Sequence, residues 1–129
     1  MTGTHVETIV WLGKVLSLTA IVCHRANERW YQDPETGAPV GTNIGEKLCL
    51  IHSEISEAME GHRRGLQDDK LPHRPMVEVE LADALIRIFD LCGYLKLDIG
   101  GAFAEKMAYN ATRADHTNEA RLAAGGKKY

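Results

Sequence analysis

The strongest constraint on the fold is an apolar repeat near the middle of the chain. Its members follow one another at alternating steps of four and three residues: Val77, Leu81, Ala84, Ile88, Leu91 and Leu95. Such steps place side chains along one face of an α-helix, whereas a half-buried strand alternates at every second residue. The segment is therefore predicted to be a helix, and Pro75 suits its first turn, where a missing N–H costs nothing.

Two helical windows precede this segment. A first helix is predicted to end near Trp30, because the run 33–39 is dense in turn-forming residues and holds two prolines. A second helix is predicted to begin at Thr42 or Asn43, since either side chain can cap a helix. Its apolar stripe, predicted to face the core, consists of Leu48, Ile51, Ile55 and Met59.

A fourth helix is predicted from about Ala102 to Arg113, after a joint at Gly100-Gly101. The chain thus belongs to the all-α class, and the helices are predicted to form a four-helix bundle. A length of 129 residues suits one domain rather than two. We expect this domain to cover residues 1–114 and residues 115–129 to form a C-terminal tail.

Charge and cysteine content exclude several classes of protein. The chain has 15 basic and 18 acidic residues, and its net charge of −3 does not indicate the positively charged surface that binding of a nucleic-acid polymer needs. The three cysteines, Cys23, Cys49 and Cys92, form no close pair, which argues against a disulfide framework or a zinc knuckle. They are expected to be buried free thiols in a reducing cytoplasm.

The stretch from Ile9 to Cys23 is strongly apolar. Glu7 precedes it, Lys14 interrupts it, and no small-residue cleavage site follows, so a signal peptide is not indicated. The stretch itself is shorter than a membrane span needs. A soluble helix that is apolar all round must be covered, and a second copy of the chain is the expected cover. These features predict a cytoplasmic homo-oligomer with no membrane partner.

Two pairs of acidic residues border the apolar stripes of the second and third helices. Glu54 and Glu57 are three residues apart, as are Glu80 and Asp83, so each pair lies on one helical face. If the two helices pack antiparallel, the four carboxylates converge. Such a cluster needs a cation, and hard divalent ions prefer oxygen ligands. Mg²⁺ is the expected ion, with Mn²⁺ as an alternative. Either pair alone would also suit an ordinary exposed helix surface.

The same residues carry a resemblance to a known family. The four acids form the pattern E-x-x-E, a gap of 22 residues, and E-x-x-D. This pattern resembles the motif of the MazG-like superfamily of all-α nucleoside triphosphate pyrophosphatases. The resemblance covers roughly Asn43 to Arg113. In the fourth helix, the segment Lys106 to Arg113 is similar to that family's K-x-x-x-N-x-x-R pattern. Along one helical face the segment presents two cations and two hydrogen-bonding side chains, which suit a polyphosphate: Lys106, Tyr109, Asn110 and Arg113.

The resemblance implies a reaction. A nucleoside triphosphate would be hydrolysed between its α- and β-phosphates to the monophosphate and pyrophosphate, with Glu54 and Glu57 as catalytic residues and Glu54 as the candidate general base. Lys47 is a further candidate for phosphate binding. Trp30 is placed to stack on the base, although packing is an equally common use of Trp at a helix end. The neighbouring Trp30 and Tyr31 suggest a purine triphosphate such as dGTP. The family commonly assembles as dimers or tetramers.

Three alternatives remain open at the level of sequence. The chain can be a non-catalytic helical module for oligomerisation or binding, with the acids as surface residues. A ferritin-like di-iron protein would need His three residues after the Glu on two helices, and neither Glu54 nor Glu80 is followed in this way. A hydrolase of another phosphorylated metabolite would use the same residues.

Overall fold

The structure is a computed structural model that describes residues 3–123 and 125–126. Within these residues the chain forms helices and loops and no β-strand, which confirms the predicted all-α class. Five α-helices are present: α1 (Gly3–Asn27), α2 (Ile44–Arg64), α3 (Met76–Tyr94), α4 (Ile99–Thr112) and α5 (Asn118–Leu122). The helix α5 lies in the segment predicted as a tail, whose last three residues are outside the described part of the chain.

Local signals explain where α2 begins and ends. Asn43, one of the two predicted caps, accepts a hydrogen bond of 3.2 Å from the backbone N–H of Glu46. Gly65 ends the helix in the left-handed conformation, with φ at 62°, which glycine adopts without steric cost. Pro75 stands one position before α3, at its N-cap, rather than in the first turn.

The predicted joint at Gly100-Gly101 is wrong, because both glycines lie in the first turn of α4. Asp98 caps this helix by accepting a hydrogen bond of 2.9 Å from the N–H of Gly101, so that α4 begins at Ile99. Gly13 of α1 packs closely here, since a Cβ on Gly13 would lie 2.7 Å from the carbonyl oxygen of Gly100. The glycines therefore serve close helix packing rather than a turn.

The chain divides into two compact units. The first comprises the described residues up to Leu18 and from Asp98 onward, and the second comprises Thr19–Leu97. The second unit contains all of α2 and α3, the end of α1, and a 3-10 turn at Glu28–Tyr31 that follows α1. The first helix therefore ends at Asn27, three residues before the predicted end.

Small side chains set the contact between α2 and α3 in the second unit. Ala58 and Ala84 are 3% and 2% exposed. Gly61 lies against Met76, because a Cβ on Gly61 would be 2.8 Å from Met76 Cγ. Close approach of the two helices follows from these small residues. It brings together the polar side chains that neighbour them along each helix.

The prediction that the apolar stripe of α2 faces the core is wrong for this chain taken alone. Leu48, Ile55 and Met59 are 49%, 47% and 66% exposed. The buried face of α2 instead carries Glu54, Ala58 and Gly61. In α3 the predicted repeat is buried only in part, at Ala84 and Leu91 but not at Leu81 and Leu95. The two helices thus face each other with their small and acidic residues rather than with the predicted apolar stripes.

The first helix exposes much of its apolar surface. Trp11, Leu18 and Val22 are each more than 60% exposed. The segment His5–Tyr31 is long and apolar enough, by length and composition, to cross a membrane. Core helices of soluble proteins and signal sequences pass the same test. The prediction that the thiols are all buried is wrong for Cys49, which is exposed, whereas Cys92 is buried.

Candidate metal centre and adjoining pocket

Three carboxylates meet at the contact between α2 and α3. Glu54 and Glu57 come from α2 and Glu80 from α3, and one oxygen of each lies within 4.8 Å of the others. We call these three residues the acidic cluster. Glu54 and Glu80 are 6% and 8% exposed, whereas Glu57 is open to solvent. The geometry therefore brings together three of the four acids that the sequence predicted.

The surroundings of the acidic cluster disfavour the ionised form of Glu80. The pKa of Glu80 is raised to about 7, first by burial and then by a hydrogen bond with Glu54. The negative charges of the neighbouring carboxylates contribute to the same rise. Oxygen donors at this spacing, partly buried and mutually repelling, suit a hard divalent cation, which would remove the repulsion.

A positive side chain on α3 already opposes part of this charge. The Nε atom of Arg87 donates a hydrogen bond of 2.6 Å to Oε1 of Glu54, and the Glu54 side chain is 8% exposed. Arg87 was not among the predicted site residues. Its position four residues after Asp83 is the signal that could have identified it, because residues at that spacing share a helical face.

Asp83 lies outside the group of three oxygens but remains electrostatically coupled to it. Burial raises the pKa of Asp83, the negative charge of Glu54 adds to this effect, and the positive charge of Arg87 opposes it. Asp68, a buried residue in the loop between α2 and α3, raises the same pKa further. Asp68 itself is held by the backbone N–H groups of Lys70 and Leu71, at 3.0 and 2.6 Å.

A pocket of about 450 Å³ adjoins the acidic cluster. This volume lies within the roughly 300–1,000 Å³ that is typical of small-molecule sites. Its walls are formed by three apolar residues, Trp30, Leu50 and Ile86, and by five polar or charged residues: Asn27, Lys47, Asp83, Arg87 and Asp90. The pocket lies entirely in the second unit, and both Asp83 and Arg87 connect it to the cluster.

Asp90 is the most buried polar residue of the pocket wall and the centre of a hydrogen-bond network. It is 8% exposed, and its two oxygens are bonded to His24 Nδ1 at 3.0 Å and to the hydroxyl of Tyr31 at 2.9 Å. Sequence reasoning missed both His24 and Asp90. A polar stripe on α3 could have indicated Asp90, since its members follow at steps of three, four and three: Glu80, Asp83, Arg87 and Asp90.

The two aromatic residues at the end of the first helix have different environments. Trp30 is 64% exposed and lines the pocket. Tyr31 is 4% exposed and stacks on Tyr94 with 4.3 Å between ring centroids. The expectation that both rings form one stacking platform is therefore wrong, because burial and the hydrogen bond with Asp90 fix Tyr31 in the core. Trp30 alone is available to a ligand.

Lys47 is held at the pocket by an aromatic ring. Its Nζ atom lies 4.4 Å from the centroid of the Tyr31 ring, within the range of a cation–π interaction. The side chain lines the pocket together with Arg87. Two cations therefore border the same pocket that two carboxylates also line.

The predicted phosphate-binding residues of α4, together with Arg113 directly after this helix, belong to the first unit. Lys106 Nζ and Arg113 Cζ lie 4.9 and 5.9 Å from the centroid of the Tyr109 ring, so these three side chains share one face as predicted. Arg113 also forms an ion pair with Asp115, through Nε at 2.9 Å. Among the described residues, the Oδ1 atom of Asn110 is a buried acceptor without a hydrogen-bond partner. A ligand with a donor group or a bound cation would satisfy it.

Comparisons of the chain with protein-family models, with curated proteins and with solved structures find no match.

Proposed function

We propose that the protein is an Mg²⁺-dependent nucleoside triphosphate pyrophosphohydrolase of the MazG-like type. The observation that carries the proposal is the acidic cluster of Glu54, Glu57 and Glu80 beside a pocket large enough for a nucleoside. The motif resemblance of residues 43–113 supports the same reaction. A four-helix arrangement of the MazG-like type is part of the proposal.

Glu54, Glu57 and Glu80 would hold the metal, with Asp83 as a further ligand from the same helix as Glu80. The donor set fits the ion, because all donors are carboxylate oxygens and no His or Cys is in the group. Mg²⁺, or Mn²⁺ in its place, supplies charge neutralisation for the phosphates and lowers the pKa of the attacking water.

The residues of the chain then have distinct tasks. In the proposed reaction a water oxygen bonds to the α-phosphorus while the bond to the α–β bridging oxygen breaks, and pyrophosphate leaves with that oxygen. One acid of the first pair, with Glu54 as the candidate, would accept the proton of the water instead of binding the metal, and Arg87 limits the negative charge beside it. Lys47 and Arg87 border the pocket where the phosphates would enter. As the family resemblance implies, Lys106 and Arg113 are proposed to bind the β- and γ-phosphates, and Tyr109 and Asn110 are further candidates for substrate binding.

Self-association is part of the proposal. Large apolar side chains are exposed on α1, α2 and α3 of the single chain, including Trp11, Met59 and Leu85. Exposed apolar surface of this extent is usual at subunit interfaces. We propose a cytoplasmic homodimer or homotetramer in which a second copy covers these side chains, and no membrane or nucleic-acid polymer as partner.

The test is a metal-dependent product assay. The protein, incubated with ribo- and deoxynucleoside triphosphates in Mg²⁺, is expected to release pyrophosphate and the monophosphate, and to release neither in EDTA. Diphosphate and inorganic phosphate as products would contradict cleavage between the α- and β-phosphates. If no triphosphate is hydrolysed and Mg²⁺ does not change stability, the exposed apolar faces favour the alternative of a non-catalytic oligomerisation module.

A further inference from the structure

The pocket is lined by Asp83 and Arg87 near the acidic cluster and by Asp90 farther along α3. Asp83 and Arg87 are coupled to Glu54 of the cluster. Asp90 lies seven residues after Asp83, and this spacing corresponds to a rise of about 10 Å along the helix. A nucleotide with its α-phosphate near Asp83 would thus have room for its sugar before the base reaches Asp90. This step rests on the proposed function.

The part of the pocket at Asp90 is an acceptor site. An ionised carboxylate has about four lone-pair positions, and the two protein partners of Asp90 use one on each oxygen. Each oxygen can therefore accept one more hydrogen bond. The hydrogen bonds with His24 and Tyr31 fix the orientation of the carboxylate before a ligand arrives. A ligand with two adjacent N–H donors would match it in a bidentate arrangement.

Only some nucleobases present such an edge. Guanine has its ring N1–H beside the exocyclic 2-amino group. Adenine and cytosine place the amino group beside an acceptor nitrogen, and uracil and thymine place the ring N–H between two carbonyl oxygens. A carboxylate would repel the acceptor in each of these other bases. The 8-oxo derivative of guanine keeps the same edge and belongs to the same class.

Two other residues of the pocket agree with this base. Asn27 uses one amide N–H for the carbonyl oxygen of Cys23, at 2.8 Å, and retains a second N–H that can donate to the O6 acceptor of guanine. Trp30 is exposed at the same pocket and provides a ring on which the base can stack. Leu50 and Ile86 supply apolar wall.

We propose that this pocket is a guanine-binding site in which Asp90 accepts hydrogen bonds from the ring N–H and the 2-amino group, so that the substrate is a guanine nucleoside triphosphate. Asp90 is the specificity-determining residue. The hydrogen-bond donors of the base, rather than stacking on two aromatic rings, determine which base is bound.

The test measures binding of nucleoside monophosphates to the full-length protein in EDTA, by calorimetry, so that neither metal nor hydrolysis affects the result. GMP is expected to bind roughly 10- to 150-fold more tightly than IMP, which lacks only the 2-amino group. AMP is expected to bind as weakly as IMP or more weakly. Equal affinities for the three nucleotides, or no binding of any of them, would overturn the proposal.

A variant pair separates base recognition from structural support. In Asp90→Asn the amide retains one acceptor and gains a donor, so xanthosine monophosphate, with a carbonyl in place of the 2-amino group, is expected to bind better than GMP. Tyr31→Phe removes the hydrogen bond with Asp90 but leaves the carboxylate, and it is expected to keep the preference for GMP. Continued preference of Asp90→Asn for GMP would overturn the assignment. If Asp90→Asn does not fold, the comparison of GMP with IMP decides alone.

Failure of this inference and failure of the proposed function give different results. Pyrophosphate release from all triphosphates at similar rates, with no preference for GMP, would overturn the guanine assignment and leave the reaction intact. Selective GMP binding without pyrophosphate release from GTP or dGTP would support the pocket assignment and contradict the proposed reaction.

Discussion

Arg87 of α3 and Glu54 of α2 form an ion pair, with 2.6 Å between Arg87 Nε and Glu54 Oε1. The pair joins the two helices at the point where three carboxylates meet. A nearly buried carboxylate needs a partner charge, because removal from water disfavours its ionised form. In the described structure Arg87 provides that partner, and a divalent ion would add to it.

The ion pair leads to a prediction for stability. Arg87→Met leaves Glu54 without its cation and is expected to lower the free energy of unfolding of the metal-free protein by about 1–3 kcal/mol, less than for a fully buried pair because Arg87 is 43% exposed. Urea denaturation measures the change. Arg63→Met is the matched control, since Arg63 pairs with Glu60 on the exposed surface of α2. Equal stability of the two variants would show that the pair does not support the site.

A second prediction concerns the metal ligands. Wild-type protein is expected to gain thermal stability in Mg²⁺, by about 3 kcal/mol at an ion concentration of roughly a hundred times the Kd. Glu57→Gln and Asp83→Ala are expected to lose most of this gain and all turnover while remaining folded, because each removes a like charge. Glu60→Gln, on the same helix as Glu57 but outside the cluster, is expected to behave as wild type. Full Mg²⁺ stabilisation of Glu57→Gln would remove Glu57 from the proposed ligands.

The pKa of Glu80 gives a pH prediction with a definite sign. Glu80 has a pKa of about 7 in the folded protein and 4.5 as the reference value. Between these values the folded protein keeps a proton that the unfolded chain has lost, so the metal-free protein becomes less stable as the pH rises through this window. The loss reaches at most about 3 kcal/mol and levels off above pH 7.

Comparison with Glu80→Gln isolates this effect from the histidines that titrate in the same range. The difference in unfolding free energy between the two proteins, followed by urea denaturation at several pH values, is expected to change across the window. Metal binding requires the ionised form, so saturating Mg²⁺ should abolish the loss. A pH-independent difference would show that Glu80 has an ordinary pKa.

A fourth prediction concerns the exposed aromatic residue of the pocket. Trp30→Ala is expected to raise the KM for the triphosphate about tenfold or more, because a stacked base loses its platform. The gain of stability in Mg²⁺ should persist, since Trp30 is not in the acidic cluster. Leu122→Ala, which shortens an exposed apolar side chain of α5 outside the pocket, serves as control. Equal KM values for the two variants would remove Trp30 from the binding site.

The members of the acidic cluster could be predicted from the sequence because their spacing along each helix is local. Glu54 and Glu57 share a helical face at any tertiary arrangement, and Glu80 follows the same rule on α3. The all-α class followed likewise from helical spacing and turn residues. The spacing of residues in the sequence does not determine how each helix is rotated about its own axis. The small residues Ala58 and Ala84 define the contact, and several larger apolar residues of the predicted stripes, such as Leu48, Met59 and Leu81, are exposed.

The contacts of Asp90 could not be read from local pattern. Its partners His24 and Tyr31 are 66 and 59 residues away in the chain. Their meeting depends on how the end of α1 packs on α3. Gly93 permits that contact, since a Cβ there would lie 2.6 Å from the carbonyl oxygen of Ala20. Trp30 is exposed and Tyr31 is buried for the same reason, because only tertiary packing determines which of two adjacent rings is buried.

The most direct test of the central claim is identification of the products formed from GTP and dGTP by the full-length protein, in Mg²⁺ and in EDTA. The account predicts one pyrophosphate for each monophosphate in Mg²⁺, and no turnover in EDTA or in Glu57→Gln. Release of inorganic phosphate with a diphosphate, or turnover that persists in EDTA or in Glu57→Gln, would contradict it.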